Sequence, residues 1–165
     1  MDINLIPPGT RCLVDANILI YHIAGSSLHC KDFLEKVAGE EVEAYLTTTI
    51  IAEVLHRQML VEAVAKGLVT PGKAIQKLKS NPSLVSSLVA HISEVEKLLL
   101  LPFSIIEVTA ADLAASHSLR LSYGLFVNDS INLACAQRFG ITDVVTHDAD
   151  FGRISSIIQW EPLDI

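Results

Sequence analysis

The 165-residue chain contains few cysteines, few aromatic residues and no long apolar run. Its three cysteines, Cys12, Cys30 and Cys135, are odd in number, widely spaced and form no C-x-x-C pair, which predicts buried free thiols rather than disulfides or a zinc site. No apolar stretch approaches the roughly 18 residues that a membrane-spanning helix needs. The first residues also lack the basic start and apolar stretch of a signal peptide. We therefore expect a cytoplasmic protein that does not contact the membrane.

Basic residues are scarce as well, with 12 Lys and Arg against 19 Asp and Glu and a formal charge of −7. This balance is unusual for a protein that handles nucleic acid. Carboxylates that bind divalent cations would, however, offset much of it. The basic residues are concentrated between positions 57 and 79, where Glu62 is the only acidic residue: Arg57, Lys66, Lys73, Lys77 and Lys79. This stretch fits either a surface that contacts phosphates or an ordinary solvated helical face, and charge alone does not decide between them.

Short apolar segments typical of strands alternate with helical ones along the chain. Strands are predicted at 11–15, 43–47, 103–108, 143–146 and 157–160. This alternation predicts an α/β fold with a mostly parallel sheet of about five strands, flanked by helices. The length favours one domain over residues 1–165. Residues 58–101 are a possible extended helical insertion within it, and Pro71 and Pro82 predict new helix starts there.

Four acidic residues follow predicted strands or lie in the helices between them. Asp15 ends the first strand and Asp148 follows the fourth, while Glu53 lies in an early helix and Asp129 opens a late one. In parallel sheets ligands gather at the carboxyl ends of strands, so Asp15 and Asp148 are expected at one edge. Carboxylate oxygens are the ligands that hard divalent cations prefer. The arrangement therefore indicates a metal site.

Each of these residues also has an ordinary structural explanation. Asp15-Ala-Asn17 is typical of a helix cap or a turn, and Asp129 suits a helix start. Glu53 fits a surface position equally well. The segment Thr146-His-Asp-Ala-Asp150 favours metal binding more strongly, because oxygen ligands packed so closely repel one another without a cation. Strand alternation points His147 away from its neighbours, so we expect no role for it.

The ordered set of motifs resembles the PIN-domain family, and within it the VapC-type toxin nucleases of toxin–antitoxin pairs. The resemblance spans residues 11–151. It is carried by four segments in order: Val14-Asp15-Ala-Asn17, Thr49-Ile-Ile-Ala-Glu53, Asn128-Asp129-Ser-Ile-Asn, and Thr146-His-Asp148-Ala-Asp150-Phe151. The helical stretch after Glu53 is longer than in the compact toxins.

This resemblance implies a three-layer PIN-like fold and an endoribonuclease that hydrolyses RNA with Mg²⁺ or Mn²⁺. Its catalytic and metal-binding residues would be Asp15, Glu53, Asp129 and Asp148, with Asp15 as the central ligand. Supporting roles would fall to Asn17, Thr146 and Asp150. The resemblance also implies an RNA substrate and an antitoxin partner. Apolar helices and similar toxins together suggest a homodimer.

Two other functions fit parts of the pattern. A PIN fold can serve as a non-catalytic RNA-binding or scaffold module, although this chain keeps all four carboxylates. A haloacid-dehalogenase-type phosphatase would use Asp15 as its nucleophile, with a second aspartate two residues later as general acid. Asn17 occupies that position and cannot donate and retrieve a proton, which disfavours the phosphatase.

Overall fold

The computed structural model describes all 165 residues and contains a five-stranded sheet. The strands are β1 (Arg11–Val14), β2 (Glu43–Thr47), β3 (Ser104–Ile106), β4 (Asp143–Val145) and β5 (Ile158–Trp160). Their order across the sheet is β3-β2-β1-β4-β5, and every neighbouring pair is parallel. The predicted α/β fold is therefore confirmed, with a sheet that is parallel throughout.

Eight α-helices connect and cover these strands. They are α1 (Ala16–Ala24), α2 (Leu28–Ala38), α3 (Thr48–Ala65), α4 (Ala74–Lys79), α5 (Pro82–Ser86), α6 (Ala90–Leu98), α7 (Ala110–Tyr123) and α8 (Val127–Arg138). None of them combines the length and the apolar character that crossing a membrane requires. The central strands are buried on both faces, as is usual when helices cover both sides of a parallel sheet.

The helix starts follow local capping chemistry. The hydroxyl of Thr47 accepts a hydrogen bond from the backbone N–H of Ile50 and so begins α3. Pro82 stands in the first turn of α5, as predicted. The helix start predicted at Pro71 is wrong, because Gly72 adopts a left-handed conformation with φ of 82° and α4 begins only at Ala74.

The main core contains the three cysteines, which are buried and free as predicted. A second, smaller core lies apart from it, where the end of α3 meets α4 and the segment that follows. Its buried members are Ala63, Val69, Ala74, Leu78 and Leu88. The helical stretch thus has a hydrophobic centre of its own.

The buried carboxylate of Glu62 connects α3 to the start of α6. It accepts hydrogen bonds from the Lys66 ammonium at 2.5 Å and from the backbone N–H groups of His91 and Val89 at 2.9 and 3.1 Å. Burial alone would raise the pKa of Glu62, but the bonds from Lys66 and His91 outweigh it and hold the pKa below its ordinary range. No side chain at the start of α6 caps that helix, so Glu62 of α3 supplies the cap.

Candidate active site

The pairing of β1 with β4 brings two polar side chains together at the carboxyl edge of the sheet. Val14 is in register with Val145, so the next residues, Asp15 and Thr146, lie side by side. The Thr146 hydroxyl donates a hydrogen bond to Asp15 Oδ2 at 2.6 Å, and the Asn17 amide donates to the same oxygen at 2.6 Å. These two donors hold the Asp15 carboxylate in one orientation.

Asn17 and Thr146 also connect this carboxylate to the segment after β4. Asn17 donates to the Thr146 hydroxyl at 3.1 Å and accepts from the His147 backbone N–H at 3.3 Å. The backbone N–H of Asp148 donates to the Thr146 hydroxyl at 3.0 Å. The positions of Asp15 and Asp148 are therefore coupled through one hydrogen-bonded network.

All four predicted carboxylates line a single cavity of about 230 Å³. Asp15 enters it from the end of β1 and Asp148 from the segment after β4. Glu53 comes from the second turn of α3 and Asp129 from the first turn of α8. Four segments that are far apart in the sequence thus converge on one place.

Asp150 does not line this cavity, since its carboxylate pairs with Arg153 instead. Its backbone N–H donates to Asp148 Oδ1 at 2.9 Å. Asp150 therefore contacts the site through its main chain, while its side chain is engaged elsewhere.

Burial and mutual repulsion perturb the acidity of the cluster. Burial, with the negative charges of Asp15, Asp148 and Glu53, raises the pKa of Asp129 to about 7. Burial also raises the pKa of Asp15, although hydrogen bonds from Thr146 and from the Ala16 backbone oppose the shift. Carboxylates that destabilise each other's charge in this way create a site that favours a cation.

The donor set suits Mg²⁺ or Mn²⁺, because it consists of oxygen atoms alone. The Asp129 carboxylate accepts no hydrogen bond that would compete with an ion. Glu53 is paired with Arg57, whose guanidinium nitrogen lies 3.4 Å from the Glu53 Oε1 atom. No group of three acidic, histidine or cysteine side chains is close enough together to coordinate one metal ion. At least one carboxylate of the cavity would therefore have to rotate when a metal ion binds.

The five basic residues of the 57–79 stretch have different environments. Arg57 lines the acidic cavity, whereas Lys66 is bonded to Glu62 and to the Ser87 carbonyl, away from it. The remaining three, Lys73, Lys77 and Lys79, are exposed on or beside α4. A wider cleft of about 630 Å³ adjoins the cavity, sharing Glu53 and Arg57 with it, and Ile75 of α4 borders that cleft. The structure thus brings only Arg57 directly to the carboxylates.

A buried polar clamp next to the cavity went unrecognised in the sequence. The side-chain oxygen of Asn132 accepts hydrogen bonds from the hydroxyls of Thr47 and Thr49, each at 2.7 Å. Because the two threonines begin α3 and Asn132 lies in α8, the clamp holds together the helices that carry Glu53 and Asp129. Asn132 is three residues after Asp129, a spacing that places both on one helical face, and this was the available signal.

We expect Asn132→Leu to lower the free energy of unfolding by about 1–2 kcal/mol, because it removes the acceptor of the buried Thr47 hydroxyl and of the partly buried Thr49 hydroxyl. Asn128→Leu is the matched control, since Asn128 is exposed on the same helix. It should change stability by less than about 0.5 kcal/mol. Urea denaturation of both variants checks this, and equal stabilities would contradict the clamp.

The fold is an all-parallel α/β sheet with an acidic cavity at the carboxyl ends of its strands, which is where such sheets commonly bind ligands. The family model of the PIN domain matches residues 12–157, and the chain belongs to the PIN domain family.

Several relatives show the same likeness. The chain is 28% identical over 144 residues to Ribonuclease VapC2 of Methanocaldococcus jannaschii, covering 87% of this chain and 89% of that protein. A chain in the DNA-bound VapBC2 structure from Rickettsia felis aligns with a TM-score of 0.61 at 18% identity, covering 92% of this chain and 98% of its own length. A chain of a toxin–antitoxin complex from Klebsiella pneumoniae aligns at 0.53 and 24% identity, covering 89% and 95%. These structural likenesses support the PIN fold.

Proposed function

We propose that this protein is a metal-dependent endoribonuclease that hydrolyses phosphodiester bonds in RNA. The observation that carries the proposal is the convergence of Asp15, Glu53, Asp129 and Asp148 on one cavity. Membership of the PIN domain family and the similarity to a protein named as a ribonuclease supply the substrate class.

In this proposal the carboxylates hold the ion and the polar neighbours hold the carboxylates. Asp15 is the central ligand, because Asn17 and Thr146 orient it. Asp129 and Asp148 complete the set. A bound Mg²⁺ or Mn²⁺ would polarise the phosphate and lower the pKa of the attacking water. Asp150 supports Asp148 through its backbone N–H.

Glu53 and Arg57 form the side of the cavity provided by α3. We propose that Glu53 binds the ion or positions water, and that Arg57 contacts a phosphate of the RNA. The guanidinium of Arg57 is more than half exposed and held by a single ion pair, so it can exchange Glu53 for a phosphate oxygen. Lys73, Lys77 and Lys79 are candidates for phosphates further along the strand. Lys66 is a weaker candidate, since Glu62 already engages it.

Cleavage of RNA by the purified protein tests the proposal directly. We expect Mg²⁺ or Mn²⁺ to support cleavage of a mixed-sequence RNA, and excess EDTA to stop it until the cation is restored. Fragment analysis on a denaturing gel gives the readout. RNA binding without cleavage in either cation would favour the non-catalytic alternative and contradict a nuclease.

The phosphatase alternative gains no support from the site. A phosphatase would need a general acid at position 17 and would use Asp15 as its nucleophile. Asn17 instead donates hydrogen bonds from its amide to Asp15 and to Thr146, and so orients the Asp15 carboxylate. Hydrolysis of phosphate monoesters by the purified protein would revive this alternative.

We also propose an antitoxin partner and a homodimer. Solved structures similar to this chain include VapBC and other toxin–antitoxin complexes, which supports the partner. Exposed apolar side chains on α7 and around the start of α8 support self-association: Leu113, Leu121, Phe126 and Val127. We further propose that residues 1–165 form one domain, in which 58–101 is a helical insertion with its own small core.

A further inference from the structure

Tyr21 places an aromatic ring in the wall of the acidic cavity. It lies on α1, four residues after Asn17, a spacing that puts both side chains on the same face of the helix. Its ring lines the cavity that the four carboxylates share, and it is partly buried against the main core. Metal binding does not explain this ring, because the carboxylates and their polar neighbours supply all the oxygen ligands proposed above.

His147 adds a second ring at the same edge of the site. Thr146 before it is buried while His147 is exposed, as strand alternation predicted. The two rings meet edge to face, with centroids 6.1 Å apart and planes inclined at 81°. In this geometry neither ring covers both faces of the other. Strand alternation gives the direction of His147 but not its contact with Tyr21, which comes from α1.

We propose that Tyr21, supported by His147, stacks on an unpaired base next to the phosphate that is cleaved. The inference rests on the proposed ribonuclease function and assigns Tyr21 to a base, not to a phosphate or an ion. An aromatic face binds any base whose own faces are free, whereas bases within a duplex are stacked on their neighbours. The carboxylates and Arg57 recognise ions and phosphate, so the ring is the part of the cavity suited to a base.

Two substitutions separate stacking from simple packing. Tyr21→Phe keeps the ring, while Tyr21→Leu keeps an apolar side chain against the core and removes the ring. On a single-stranded oligoribonucleotide that the unaltered protein cleaves, we expect Tyr21→Leu to lower kcat/KM about tenfold, since stacking of one base on an aromatic side chain contributes roughly 5- to 150-fold. Tyr21→Phe should remain within about twofold, and the exposed His147→Ala should lose less than Tyr21→Leu.

Abasic substrates distinguish stacking from packing, because a residue that only packs against the core would have the same effect on kcat/KM whether or not the base is present. The same oligonucleotide is made with one abasic nucleotide, placed on the 5′ or the 3′ side of the cleaved bond. On one of these two substrates the unaltered protein and Tyr21→Leu should have equal kcat/KM. Circular dichroism of each variant verifies the fold, and His147→Ala keeps the test open if Tyr21→Leu does not fold.

Three results would overturn the inference. The first is an equal loss for Tyr21→Leu on the intact and on both abasic substrates, which indicates packing alone. The second is unchanged cleavage by Tyr21→Leu. The third is equal cleavage of duplex and single-stranded RNA by the unaltered protein. These results differ from a failure of the proposed function, in which the unaltered protein cleaves no RNA at all.

Discussion

Asp15→Asn is expected to lower kcat/KM for RNA cleavage by roughly 1,000-fold, equivalent to about 4 kcal/mol of transition-state stabilisation. Asparagine keeps the shape of the side chain and one acceptor oxygen for the bonds from Asn17 and Thr146. It removes the negative charge that, in the proposed function, attracts a cation to the centre of the cavity. Steady-state cleavage in Mg²⁺ and in Mn²⁺ measures the loss.

The substitution should leave the fold largely intact. Burial raises the pKa of Asp15, so the neutral amide relieves an unfavourable charge while it weakens the cap on α1. The two effects oppose each other, and we expect a Tm close to that of the unaltered protein. Asp32→Asn on α2 is the matched control, because Asp32 is exposed and outside the cavity. Full cleavage by Asp15→Asn, or an equal loss in Asp32→Asn, would remove Asp15 from the mechanism.

The affinity for Mn²⁺ is expected to rise about 50-fold between pH 5 and pH 7, because a cation must displace the proton from Asp129. The pKa of this carboxylate is raised from 3.8 to about 7, by burial first and then by the neighbouring negative charges. Above about pH 8 the affinity should level off, since the carboxylate is then almost fully ionised. Titration calorimetry across this range checks the slope, and Asp129→Asn should flatten it. An affinity that does not change with pH would contradict the prediction.

The raised pKa of Asp129 also makes a contribution to the pH dependence of stability in EDTA-treated protein. Between pH 4 and 7 the folded state binds a proton at Asp129 that the unfolded state has lost, so the free energy of unfolding falls as pH rises. Above about pH 7 the two states bind equal numbers of protons at this residue and the decrease ends. The carboxylate is partly exposed, and we expect a change of roughly 2 kcal/mol after solvent screening. Urea denaturation of Asp129→Asn should show a shallower slope.

The carboxylates could be recognised in the sequence because topology determines where they meet. Parallel strands carry Asp15 and Asp148 to the same edge of the sheet, and the order of the motifs supplies Glu53 and Asp129. The sheet itself followed from the alternation of apolar strands and helices.

Contacts between distant segments could not be predicted in the same way. The clamp at Asn132 depends on how α3 packs against α8, and no local pattern shows that a buried amide meets two hydroxyls there. Two local features were also not predicted. Asp150 pairs with Arg153, three residues later in a short 3-10 helix over Ala149–Arg153. Pro71 favoured a helix start, but the left-handed Gly72 delays that start to Ala74.

The small second core has a consequence for how this protein can diverge. None of its members, from Ala63 to Leu88, belongs to the core that supports the sheet and its carboxylates. Glu62 connects the end of α3 to the start of α6, so the segments between that residue and α6 can lengthen, shorten or change their surface while the cavity keeps its geometry. Ile75 of this stretch borders the cleft beside the cavity. Substitutions around the second core could therefore change which ligands bind beside the cavity without moving the carboxylates themselves.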